Sequence, residues 1–158
     1  MKMEMKNHEH HEGMDMSEHR HEEPVEDSEI KDWKRKTYLS WLFAIPIAIL
    51  MLSERIFGMS FIPENYLVII ILVLAFPVVF IFGFNTIKGG MRGLFTFYFN
   101  MDSLIALGTV VAYLTGIFSY FGFVADYSGV SAMIMAFYTT GKYVESIARG
   151  RASQEIKK

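Results

Sequence analysis

Tyr66-Leu-Val-Ile-Ile-Ile-Leu-Val-Leu-Ala-Phe-Pro-Val-Val-Phe-Ile-Phe-Gly-Phe84 carries no charge and, beyond Tyr66, no hydrogen-bonding side chain. A helix needs about 20 predominantly apolar residues to cross the ~30 Å hydrocarbon core of a bilayer. This run has that length, and its Ile, Leu, Val and Phe leave no polar face for water. It predicts a membrane-spanning helix, so its neighbours must be read in a bilayer. Pro77 sits mid-span, as does Pro46 upstream. In a membrane, neighbouring helices can satisfy the backbone groups that a proline frees, and a plain kink is the expected result.

Leu104–Val124 downstream is equally free of charge and long enough to span. Tyr38–Leu52 is apolar but short, and is expected to continue past Glu54 and Arg55, whose long side chains snorkel to the interface. Val130–Tyr143 is the weakest span. It carries Thr139, Thr140 and Lys142, and is expected to pack against other helices and not only against lipid. The expected architecture is an all-α membrane protein with four transmembrane helices, at about residues 38–60, 66–84, 102–124 and 128–146, within a membrane domain 37–158. A disordered His/Met-rich tail, residues 1–36, precedes them.

Lys and Arg counts set the orientation. Lys31, Lys34, Arg35 and Lys36 precede the first span, Lys88 and Arg92 follow the second, and Lys142, Arg149, Arg151, Lys157 and Lys158 end the chain. The other two connections hold Arg55 with Glu54, Glu64 and Asp126. Four spans place all the basic flanks on one side, with both termini cytoplasmic. Three would put one basic flank outside. Residues 85–100 mix Lys88 and Arg92 with Phe95, Phe97, Tyr98 and Phe99, as in an amphipathic helix lying in the interface. They are expected to form a cytoplasmic platform, with an ordinary interfacial loop as the alternative. Gly83, Gly89, Gly90 and Gly93 give room to bend away from the second span.

The 158 residues carry a net charge of −2 with no basic patch interleaved with aromatics, which argues against a nucleic-acid partner. There is no cysteine, which excludes disulfides, thiolate metal sites and cysteine nucleophiles. Any soft-metal ligand is therefore Met or His. All five histidines lie in the tail, as His8, His10, His11, His19 and His21, with Met14 and Met16 between them. Imidazole suits copper, nickel and zinc, and thioether selects cuprous copper. The tail lacks the apolar content to fold alone. It is read as a metal-binding segment, against the plainer alternative of a solvated acidic tail.

Two further positions bear on metal. Met101 stands at the mouth of the third span, in Asn100-Met-Asp-Ser-Leu-Ile-Ala-Leu-Gly-Thr109, and Glu145 at the end of the fourth, in Gly141-Lys-Tyr-Val-Glu145. A lone Met packs more often than it ligates, and Glu145 has Arg149 at i+4 as an ion-pair partner. On adjacent antiparallel helices at equal depth, however, a thioether and a carboxylate make a site where metal enters the helices. Asp102 is the nearest additional oxygen ligand, or else an N-terminal cap or first-turn carboxylate. No catalytic or cofactor-binding residue is expected.

These two blocks, together with Ala148-Arg-Gly-Arg-Ala-Ser-Gln-Glu-Ile-Lys-Lys158, resemble the heavy-metal-transporting P-type ATPases, and the cysteine-free His-rich tail looks most like their copper-exporting branch. The resemblance covers about residues 37–158. It implies the first four of eight membrane helices, with metal entering at the positions of Met101 and Glu145. Of the family's double glycine in its second helix, Gly83 aligns with one member and Phe82 replaces the other, unless Gly89-Gly90 serves instead. The cargo implied is copper first, then zinc, nickel or cobalt. ATP and magnesium belong to the actuator, phosphorylation and ATP-binding domains of a full-length protein, whose motifs this chain lacks. The expected identity is thus the N-terminal portion of an exporter in the plasma membrane of a prokaryote. The alternative is a small stand-alone metal-binding membrane protein or accessory subunit.

Overall fold

The computed structural model describes residues 25–58 and 62–157. They form five helices and no strand. These are α1 (Val25–Phe57), α2 (Glu64–Phe76) continued by a π-helical segment (Pro77–Phe82), α3 (Phe84–Phe95), α4 (Met101–Tyr120) and α5 (Ser128–Ile156). Asp27–Phe57, Glu64–Phe82 and Met101–Tyr120 are long and apolar enough to cross a membrane. At 29 residues α5 has the length, but Thr139, Thr140, Lys142 and Glu145 dilute its apolar run. Among the described residues three helices, against the four expected, meet both criteria.

The boundaries differ from expectation in physically simple ways. Residues 25–36, assigned to the tail, are the first turns of α1. At 1.5 Å per residue the 33 residues of α1 run to ~50 Å, about 20 Å more than a hydrocarbon core needs. The charged excess pairs with the far end of the 29-residue α5. Glu29 lies 3.8 Å from Arg149, and a Cβ on Gly150 would stand 3.2 Å from Ile30 Cδ1. The first span stops at Phe57 because Gly58 turns left-handed (φ 57°). The third stops at Tyr120 and not at 124. There Gly122 (φ 79°) donates to the Ser119 carbonyl and Phe123 to that of Phe118, the paired bonds of a Schellman ending.

α1 and α5 run antiparallel along their length. Thr37 Oγ1 donates to the Thr139 carbonyl at 3.0 Å and Trp41 Nε1 to Thr140 Oγ1 at 2.8 Å, while Trp41 meets Phe137 edge-on. Where no hydrophobic force separates helix from lipid, small residues let backbones approach closely. Gly129 packs so tightly that a Cβ would come within 2.8 Å of Ile47 and Met51. Gly116 likewise meets Ser128 and Leu72. Ile47, Ile71, Val78, Ala132 and Met135 are fully buried at the centre, so α5 does pack against its neighbours as its polar content implies.

α1 continues through Pro46 as one helix, whereas Pro77 opens the π-helical turn. Its closing bond runs from the Gly83 N–H to the Val78 carbonyl, five residues back. The chain then redirects into α3 at Gly83, which abuts Met135. The break therefore falls at Gly83, and Gly89-Gly90 lie within a helix. α3 is helical over Phe84–Phe95, within the region expected to form the platform. It docks on the start of α4 through Gly90, against Ala106 and the Asp102 carbonyl, and through Gly93, against Ser103.

Candidate metal-loading site

The helix pairs converge at the end of the bundle that carries Lys31, Lys34, Lys88, Arg92 and Arg149. There Asn100 caps α4, its Oδ1 accepting from both the N–H and the hydroxyl of Ser103 at 2.9 Å. The cap makes Met101 the first residue of α4, and with α3 docked behind it Met101 is left 68% exposed. Asp102 is thus a first-turn residue and not the cap.

Met101 and Glu145 line one groove of about 420 Å3 between α4 and α5, together with Ile105, Phe137, Tyr138 and Lys142. The carboxylate of Glu145 is already paired, with Lys142 at 3.4 Å and Arg149 at 3.4 Å. All three side chains are partly exposed. Such pairs are worth no more than ~1 kcal/mol, so an arriving cation exchanges them at little cost. Asp102 does not line this groove. Its Oδ1 accepts a 2.7 Å hydrogen bond from the phenol of Tyr138. Among the described residues no three His, Asp or Glu side chains gather into a metal cage. His8, His10, His11, His19, His21, Met14 and Met16 lie outside the described residues.

Tyr138 was not among the sequence candidates, yet it ties the mouth together. It is 7% exposed, meets Trp33 of α1 edge-on at 6.4 Å, bonds to Asp102 of α4 and lies under the Lys142 ammonium, 5.8 Å from its ring. The signal was its spacing. Tyr138 precedes Glu145 by two helical turns, so both face the same groove.

The opposite end holds a second cavity, about 480 Å3, bordered by Met51, Glu54, Arg55, Glu64 and Asp126. Asp126 Oδ1 accepts from the Ser128 N–H at 2.8 Å, starting α5. Asp126 shares this cavity with two carboxylates that the sequence leaves apart.

Fold and groove define an integral membrane protein of packed helices with a thioether and a carboxylate exposed at one mouth. No protein-family model and no solved structure matches the chain. It is 32% identical over 127 residues to a probable copper-exporting P-type ATPase V of Mycobacterium tuberculosis, covering 79% of this chain and 16% of that protein. It is 32% identical over 152 residues to a probable copper-transporting ATPase of Arabidopsis thaliana, covering 84% of this chain and 15% of that one. A probable copper-importing P-type ATPase A of Enterococcus hirae is 34% identical over 97 residues, 58% of this chain and 13% of its own length. The chain belongs to the copper-transporting P-type ATPase family, and spans 13–16% of the length of these relatives.

Proposed function

We propose that this chain is the metal-receiving membrane portion of an ATP-driven copper exporter. The observation that carries the proposal is that Met101 and Glu145, far apart in sequence, line one groove at the basic end of the bundle. In this reading α5 is a fourth crossing. Its antiparallel course beside α1 and its buried Ala132, Met135 and Thr139 support that. The basic end then faces the cytoplasm with both termini, and α3 lies in the interface beside the mouth. The tail captures metal through His8, His10, His11, His19, His21, Met14 and Met16. Met101 supplies a soft donor and Glu145 a charge, while the Asp102 carboxylate is engaged by Tyr138. Two donors make a weak site, which suits a station that must pass its ion onward. Copper is the cargo, in keeping with the names of the relatives. ATP hydrolysis with magnesium is the task of the actuator, phosphorylation and ATP-binding domains of the full-length protein.

The test is copper-stimulated ATPase activity of the full-length protein. Met101→Ala and Glu145→Gln are each expected to lower the stimulation, as loss of a positioned charge or ligand does. Unchanged stimulation with both substitutions together would sink the loading-site assignment. Export is the direction proposed. Copper accumulation in inverted vesicles supports it, and accumulation in right-side-out vesicles reverses it.

A further inference from the structure

We infer that Tyr138 sets the metal preference of the mouth by withholding Asp102 from the ligand set. The inference rests on the loading-site reading of Met101 and Glu145. Asp102 adjoins Met101 on the first turn of α4 and is the nearest additional carboxylate. Its Oδ1 accepts from the Tyr138 phenol at 2.7 Å, and Asp102 is not among the residues that line the groove shared by Met101 and Glu145. That phenol has little freedom to leave. Tyr138 is 7% exposed, with its ring edge-on to Trp33 at 6.4 Å and the Lys142 ammonium above it. The bond also links α4 to α5 beneath the groove that Tyr138 itself lines.

With Asp102 so held, the mouth offers one thioether and one carboxylate. A soft monovalent d10 ion accepts few donors and favours thioether, whereas cobalt and zinc call for about four donors, which in a cysteine-free chain must be chiefly nitrogen and oxygen. A second carboxylate would supply what the divalent ions lack. Lys142, lining the same groove, adds to the discrimination, since its repulsion scales with the charge of the incoming ion. Tyr138 is therefore a positioning residue whose effect falls on divalent ions and spares monovalent ones.

The experiment measures Ag+ and Co2+ affinity of the full chain in detergent, with His8, His10, His11, His19 and His21 changed to Ala so that the tail takes up no cobalt. Tyr138→Phe is expected to tighten Co2+ binding about tenfold and to leave Ag+ within about twofold, the scale on which partners of metal ligands act. Adding Asp102→Asn is expected to erase the gain. Co2+ affinity that does not rise, or that moves together with Ag+, overturns the inference. Asp102→Asn alone keeps an acceptor oxygen for the phenol and is expected to change neither ion. A loss of Co2+ binding in that variant shows that Asp102 ligates with Tyr138 in place, and overturns the inference without relying on the Phe variant. Met101→Ala with Glu145→Gln serves as the separate check. If Ag+ affinity survives that pair, the loading-site reading fails, whatever Tyr138 does.

Discussion

Alanine at Gly89 and alanine at Gly90 are expected to have opposite effects, although the two positions are adjacent in one helix. Both lie inside α3, where glycine costs about 0.5–1 kcal/mol relative to alanine. A Cβ on Gly89 meets nothing within 4 Å, so Gly89→Ala keeps that gain. A Cβ on Gly90 would fall against the Ala106 Cβ and within 2.6 Å of the Asp102 carbonyl oxygen. The second is backbone of α4, which cannot turn aside as a long side chain can. Overpacking of this kind costs about 1–3 kcal/mol. Because the propensity gain is common to both variants, it cancels between them. Their difference in stability is then the packing term itself, about 1–3 kcal/mol in favour of Gly89→Ala.

The assay is denaturation of each variant in detergent, followed by circular dichroism, with hydrogen exchange of the α3 amides to localise the change. Gly90→Ala is expected to lower the midpoint and to loosen α3 selectively. Gly90→Ala as stable as Gly89→Ala would refute the close dock of α3 on α4, and with it the account of how Met101 is positioned.

Two further outcomes follow from the same structure. Phe97 occupies the left-handed position at the end of α3 (φ 53°), where Tyr98 donates to the Gly93 carbonyl and Phe97 to that of Leu94. An L side chain there costs about 1–2 kcal/mol, and Phe97 is 84% exposed. Phe97→Gly is thus expected to raise stability by about 0.5–1 kcal/mol after the entropy of glycine is subtracted, and a lowered denaturation midpoint refutes this. Trp41→Phe keeps an aromatic ring against Phe137 but removes the indole donor to Thr140. It is expected to cost about 0.6–1 kcal/mol in the same assay, and a loss well above that range would mean that ring packing and not the hydrogen bond dominates.

The spans were legible where charge was absent, because an uncharged run of the right length has few other fates. α2 and α4 begin within two residues of the expected starts. The errors fall where charge or backbone geometry decides. Lys31 to Lys36 read as solvated tail, and they are solvated, but on a helix steadied by the far end of α5. Gly122 was inside the expected third span because a single glycine in an apolar run gives no hydropathy signal, although its left-handed φ ends the helix. That Met101 and Glu145 would share one groove was legible from antiparallel order alone. The bond of Asp102 to Tyr138 was not, since it depends on the rotation of α4 against α5 about their axes. No period within either helix reports that rotation.

That rotation is set from two directions. α3 fixes α4 through Gly90 and Gly93, whose missing side chains bring the Met101 end of α4 against a rigid neighbour. α1 fixes α5 through Thr37, Trp41 and the Gly150 contact, which hold the Glu145 end. Met101 and Glu145 are therefore carried by different helix pairs. At the mouth the Tyr138–Asp102 hydrogen bond fastens one pair to the other. Interhelical hydrogen bonds in membranes average only ~0.6 kcal/mol, so this fastening is weak beside the packing within each pair. Away from the mouth α4 and α5 also meet directly, Gly116 against Ser128, so packing together with this bond sets the separation of Met101 from Glu145. On the proposed loading role, that separation decides whether a thioether on one wall and a carboxylate on the other can share one ion.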